Sequence, residues 1–393
     1  MIAILLMEEC MFNVFTTFLL LGLYSFGGPA AHIGFFQRSF VQEKKWISDD
    51  DFTHAVALCQ FLPGPASSQL GMYIGYKKAG YLGAVAAFVG FTLPSFALLT
   101  GLAIVSSSVT SNSVVDSLII AAKLLAVIVV ADALWGMAKK NLTTALTITV
   151  AVITAIWVYF STGLLGQVLP ICVAAAVGYA LSFKTEITPT NKLTTSIKPH
   201  LGILVTFGVL LVGLPLLAPY NSGINLFNIF YQAGSFVFGG GHVVLPLLQP
   251  MMEGLVGEST FINAYASAQL VPGPMFTMAS YLGASIDGIH PVLGSLIATI
   301  AVFLPGSLLL FAFIPAWKAL FEHQRLKQSI TLVNACVVGL LASAFVSPII
   351  TSGVKTGLDA VAVVIGFIAF KYFKCPVWLL AILLFISQYF IMI

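Results

Sequence analysis

Twice in this chain an apolar stretch breaks on the same pattern, "QFLPGP" at residues 60–65 and "QLVPGP" at 269–274. Proline lacks a backbone N–H and its ring collides with the preceding helical turn, so two prolines flanking a glycine cannot continue a helix. Each break stands where a membrane span would otherwise run. Non-helical backbone at membrane depth is tolerated only where it lines a cavity or is buried in protein. The paired breaks therefore exclude a plain bundle of rods and ask for helix ends inside a larger helical assembly.

The surroundings are those of a bilayer. Of 393 residues, 59% are hydrophobic and 8% charged, against about 25% charged in an ordinary soluble chain. Apolar runs of the roughly 20 residues needed to cross a bilayer recur along the whole length, so an all-α polytopic membrane protein is expected, with the lipid bilayer as its main partner and no nucleic-acid partner. "MIAILLMEEC" has neither a basic n-region nor a small-residue cleavage site, and no removable signal peptide is expected. Cys10, Cys59, Cys172, Cys336 and Cys375 form no CxxC and have no histidine at ligand spacing. They read as small core hydrophobes, and neither a metal nor another cofactor is expected.

Charge placement constrains the path. Basic residues cluster at Arg38, Lys44 and Lys45, at Lys77 and Lys78, at Lys139 and Lys140, and again through 184–198, 318–327 and 371–374, whereas loops near 106–116, 161–164, 220–225, 251–260 and 285–290 carry none. If basic loops face the cytoplasm, residues 80–105, 142–160, 201–219, 328–347 and 376–393 cross outward, and 117–138, 164–183, 290–316 and 355–370 cross inward. Two stretches do not fit as simple spans: 52–76 lies between two cytoplasmic loops and 261–285 between two external ones. Each enters and leaves by one face, and its Pro-Gly-Pro marks the tip of a hairpin.

The hairpins belong to a longer repeat. "FGG" at 26–28 recurs at 238–240, His32 at His242, "MYIGY" at 72–76 as "SYLGA" at 280–284, and "FTLPSF" at 91–96 as "VFLPGS" at 302–307, all offset by 208 to 212 residues. Charge placement implies that the second copy runs upside down relative to the first: the basic loops of copy one correspond to copy-two loops bearing Glu253, Glu258 and Asp287. The expectation is two inverted-topology repeats, residues 1–183 and 221–393, each with a re-entrant or broken helical hairpin and about four full spans. A polar linker and one extra transmembrane helix, 184–220, join them. Inverted repeats characterise many secondary transporters, with the substrate site at midplane where the copies meet.

The "FGG" ending a first helix, the basic loop "RSFVQEKKWISDDDF", the "QFLPGP" break and its partner "QLVPGP" together resemble the chromate ion transporter family in its long, two-domain form. The resemblance covers nearly the whole chain. It implies a carrier in the cell inner membrane for an oxyanion, chromate or its relative sulfate, exported by alternating access with ion coupling; uptake of a sulfate-type oxyanion, or an anion channel of the same fold, are the alternatives. The expected N-terminus is cytoplasmic, and a homodimer is one admissible assembly. Chromate itself comes from the resemblance, not from composition or spacing.

A tetrahedral dianion leaving water needs donors, and helix N-termini and glycine-rich turns present unpaired N–H groups with a positive dipole end. Candidates are the tips Pro63, Gly64, Pro65 and Pro272, Gly273, Pro274, the helix starts after them with Ser67, Ser68, Gln69 and Thr277, and Gln60 and Gln269 just before each break. Gly27, Gly28 and Gly239, Gly240, Gly241 offer a second pair of breaks facing the first. Ser67, Ser68 and Thr277 serve equally well to re-bond backbone freed by the break, and a double glycine is often a packing device.

Charges within spans are costly and mark candidates by default. Lys123 is one, with snorkelling to the surface as its alternative use; copy two places Asn334 opposite it. The resemblance puts a basic residue at the Lys123 position, while Asp132 departs from the family pattern and reads as a proton-coupling group or an inner-end residue. His32 and His242 follow the glycine breaks and suit either structural hydrogen bonding or a titratable place on an anion path. Arg38 with Lys44 and Lys45 reads as a basic vestibule or as plain topology signalling. No GK[ST], HExxH or nucleophile-base constellation is present, which argues against an ATP-driven pump and against an intramembrane enzyme.

Overall fold

The structure, a computed structural model, describes residues 2–26, 28–108, 113–161, 163–182, 199–238, 244–316 and 324–392. The regular elements among these are all helices. The first half runs through α1 (Ile2–Tyr24), α2 (Gly28–Phe36) with a π-helical turn Gln37–Glu43, α3 (Asp49–Phe61), α4 (Ala66–Ser108), α5 (Ser113–Asn141), α6 (Ala145–Phe160) and α7 (Gly163–Leu181). After α8 (Leu201–Leu217), the second half runs through α9 (Ser222–Phe236), α10 (Val244–Met252), α11 (Glu258–Leu270), a 3-10 turn Met275–Thr277, α12 (Met278–Ala284), α13 (Pro291–Phe313), α14 (Gln324–Ala344), a π-helical turn Phe345–Ile350, α15 (Gly357–Lys371) and α16 (Val377–Met392).

Among the described residues five stretches are long and apolar enough to cross a membrane: Ala66–Ser106, Ser117–Asn141, Leu201–Tyr220, Pro291–Ala316 and Gln328–Gly353. Shorter apolar helices at Glu9–Tyr24, Ala145–Phe160, Gly166–Leu181 and Val377–Ile391 accompany them. This is a multi-pass membrane protein. α8 is the extreme case: no residue of its apolar window is fully buried, and Leu201, Val205, Val209, Val212 and Leu216 are all exposed. One flank, with Phe207, Leu210, Leu211 and Leu214, packs on the core, and the apolar flank left exposed has acyl chains as its remaining partner.

Local chemistry places the breaks. Ser48 caps α3 by accepting from the Asp51 N–H, and Asp49, Asp50 and Asp51 put negative charge on its first turn, where the helix dipole favours it. α3 ends where Leu62 turns extended ahead of Pro63, as the residue before a proline must. α4 is two helices in one: Ala79 and Gly80 leave helical geometry, Gly80 with φ +63°. A short arm after the tip is thereby separated from a full span, and residues 285–290 make the same division between α12 and α13. α6 and α15 open on equivalent capping boxes, Thr144 with Thr147 and Thr356 with Asp359, a start signal shared by the two halves.

Packing combines the halves. α1 lies along α4, and α9 along α13, within each half. The last helices are exchanged: α5 packs on α15 and α16, while α14 packs on α6 and α7. Phe18, Phe36, Phe40 and Phe91 make a buried aromatic cluster under the α1–α2 break, with Phe18 stacked on Phe40 at 4.7 Å.

Candidate functional site

The two tips dock reciprocally. At the first, Gly64 has φ +113° and donates its N–H to the carbonyl of Val237, 2.7 Å away, at the end of α9. At the second, Gly273 has φ +104° and donates to the carbonyl of Ser25, 2.9 Å away, at the end of α1. Each acceptor just precedes the other half's "FGG". The tips also lie against equivalent positions of α13 and α4: a Cβ on Gly64 would come 2.9 Å from Gly306 Cα, and one on Gly273 would come 2.9 Å from Ser95 Oγ. Gly306 and Ser95 each follow the proline of a repeated segment, Pro305 and Pro94. Glycine is required at both tips twice over, by the left-handed backbone and by the close approach.

The polar side chains at the tips have unequal roles. Gln69, almost fully buried, donates from Nε2 to the carbonyls of Pro63 at 3.0 Å and Gly306 at 2.9 Å, fastening the first tip to α13. Its Oε1 and the Ser68 hydroxyl are buried without partners. Ser67 is buried beside them. Thr277 gives its hydroxyl proton to the Pro274 carbonyl at 2.5 Å, the re-bonding use that a broken helix predicts. Gln60 is exposed and accepts from Lys140 Nζ at 3.4 Å, while Gln269 points its amide at Met275 Sδ, 3.8 Å away. Pro65 accepts from the Gln69 N–H at 3.0 Å and so starts α4; Pro272 and Pro274 frame the second tip.

At the α1–α2 break Gly28 has φ +76° and opens α2. Met275 of the second tip would lie 3.8 Å from a Cβ placed on it. His32 is fully buried, with Nε2 at 3.1 Å from the Ser25 carbonyl and its ring edge-on to Phe91 at 5.2 Å. Gly27, Gly239, Gly240, Gly241 and His242 lie outside the described residues.

Lys123, Asp132 and Arg38 make their contacts away from the tips. Lys123 is half-buried and donates to Ser259 Oγ at 3.1 Å, in the first turn of α11. Asn334 is half-buried on α14. Asp132 pairs with Lys371 of α15 at 2.5 Å, both side chains 31% exposed. Arg38 is exposed and pairs with Glu43 at 3.0 Å, and Lys44 and Lys78 lie over Trp46. The charges of this segment are thus of mixed sign.

A cavity of about 440 Å³ opens between α6, α7, α10 and α14, with Gln167, Gln249, Glu253, Glu258, Ser343 and Ser347 on its walls. Among the described residues no basic side chain lines it and two carboxylates do, a field that disfavours a dianion, and the tips remain the better anion candidates. Among the described residues no group of three or more His, Cys, Asp or Glu is placed to hold a metal. The partners Ser25, Val237, Ser95 and Gly306 escaped sequence reasoning. The only signal for two of them was the small residue following each repeated proline.

The structure defines a multi-pass helical membrane protein whose two Pro-Gly-Pro tips each dock on the other half. The chain belongs to the chromate transporter family, whose model matches it twice, over residues 12–180 and 224–388; it is a transporter and not an enzyme. An uncharacterized transporter of Methanocaldococcus jannaschii is 30% identical over 342 residues, 84% of this chain and 82% of its own. Chromate transport proteins of Cupriavidus metallidurans and Pseudomonas aeruginosa are 27% and 25% identical, again over 84% of this chain and over 80% and 79% of theirs. No solved structure matches.

Proposed function

We propose that this chain is a secondary carrier that exports chromate or a related tetrahedral oxyanion across the cytoplasmic membrane by alternating access with ion coupling. The observation that carries the reading is the reciprocal docking, Gly64 on Val237 and Gly273 on Ser25. Two equivalent clasps related by an approximate twofold are what a carrier needs to open one side while closing the other. The halves 1–183 and 221–393 act as inverted repeats about that axis, joined by 184–220. The N-terminus lies in the cytoplasm of an inner-membrane protein. The anion sits among the tips and helix starts around Gly28, Gly64, Gly273, Ser67, Ser68 and Gln69, held by N–H and O–H donors rather than by a resident charge. Lys123 and Asn334 line its approach.

The second reading is a channel, or an uptake carrier for sulfate, on the same scaffold. Flux into proteoliposomes distinguishes them. Chromate uptake should depend on a pH gradient, a membrane potential or an opposing anion and should saturate; flux indifferent to every such coupling and unsaturated with concentration marks a channel and overturns the carrier.

A further inference from the structure

The α1–α2 break holds an unexplained set of polar atoms. The Ser25 carbonyl can only accept, so His32 Nε2, 3.1 Å from it, carries the ring proton, and in the neutral imidazole Nδ1 is left as a bare lone pair. Nδ1 has no partner, and neither has the hydroxyl of Ser25; both residues are fully buried. Buried polar atoms in native proteins are paired almost without exception, so each of these two calls for a partner that the protein itself does not supply.

The ring is buried among neutral neighbours, so any charge it takes must be balanced by a ligand. Phe91 of α4 meets it edge-on, and Ser25 is the polar group of α1 that reaches it. The second tip offers Gly273 to the same break. The π-helical turn against α2 carries Arg38 and Glu43, paired with each other and exposed. Among the described residues no carboxylate or cation acts on the ring. At the equivalent place copy two has Val237 for Ser25, so the polar site belongs to the first half.

We propose that the α1–α2 break is the seat of the oxyanion and that each dianion is held there together with one proton on His32 Nδ1. The inference rests on the oxyanion-carrier reading above. A bare Nδ1 repels an oxyanion's lone pairs, whereas a protonated one donates and carries positive charge. Neutral His32, a proton and the dianion give an imidazolium–dianion pair: Nε2–H stays on Ser25, Nδ1–H meets an anion oxygen, and the Ser25 hydroxyl and the first-turn N–H groups of α2 complete the donors. The anion's hydrogen form reaches the same state by passing its own proton to Nδ1. Release returns both, so one proton moves with each anion and a net charge of minus one leaves the cell, still driven outward by an inside-negative potential. The Ser25 oxygen also accepts from Gly273; a charged ring draws harder on that shared oxygen and loosens the second tip.

The test measures chromate binding to detergent-purified protein across pH, referred to the dianion concentration, and proton uptake in weak buffer. Wild type should bind about tenfold more tightly per unit fall in pH above the ring's titration range and, at a pH where the free anion is the dianion, take up one proton per anion. His32→Gln keeps an amide N–H for the Ser25 carbonyl and should lose the slope and the uptake; Ser25→Ala should weaken binding and keep both. Wild-type binding without slope or uptake overturns the proton role, whether or not His32→Gln folds, as does a slope that persists in His32→Gln. Wild type that neither binds nor carries chromate overturns the carrier reading itself, which separates the two failures.

Discussion

At the scale of single residues, the decisive positions are glycines in left-handed backbone against a neighbouring helix. Gly273→Ala places a Cβ 2.9 Å from Ser95 Oγ at φ +104°. The backbone strain is worth about 1–3 kcal/mol and the overlap about as much again. Purified Gly273→Ala should melt several degrees lower and carry little chromate, and Ser95→Ala in the same chain should restore part of the loss by removing the overlap but not the strain. A Gly273→Ala protein as stable and active as wild type would show that the tip is not clasped as described. The glycine and proline pattern exposed these tips in the sequence. Their acceptors, the carbonyls of Ser25 and Val237, were invisible there because every residue has a carbonyl, and only docking selects one.

Among the elements, α5 shows how a charge in a span is judged. From sequence, Lys123 and Asp132 were both functional candidates because a lone charge in lipid is costly. The exchange of helices between halves brings Lys371 of α15 onto Asp132, which removes the isolation that made Asp132 notable. The pair is one-third exposed, so screening discounts it and Asp132→Asn should cost no more than about 1 kcal/mol, with chromate flux within twofold of wild type. A tenfold loss of flux in a folded Asp132→Asn protein would instead give Asp132 a part in transport. Lys123 kept its place near α11 through Ser259, a partner no helical periodicity within α5 indicates.

For the whole molecule, the claim at stake is the inversion of the halves. In a background with the five native cysteines replaced, Lys45→Cys and Lys78→Cys should label from the cytoplasmic side, and Gly257→Cys and Asp287→Cys from outside. Labelling of positions 45 and 257 from one side would end the inverted arrangement. The sequence alone determined the class, the duplication and the location of the breaks, because hydropathy, proline and glycine act through the local backbone and the solvent, which a single chain records directly. Tertiary structure decided which half closes which break, that α5 and α14 exchange partners, and that His32 and Ser25 each keep a buried atom without a partner. The first two of those outcomes depend on contacts between residues some two hundred positions apart, where pattern within a segment carries no information about the surface it will meet.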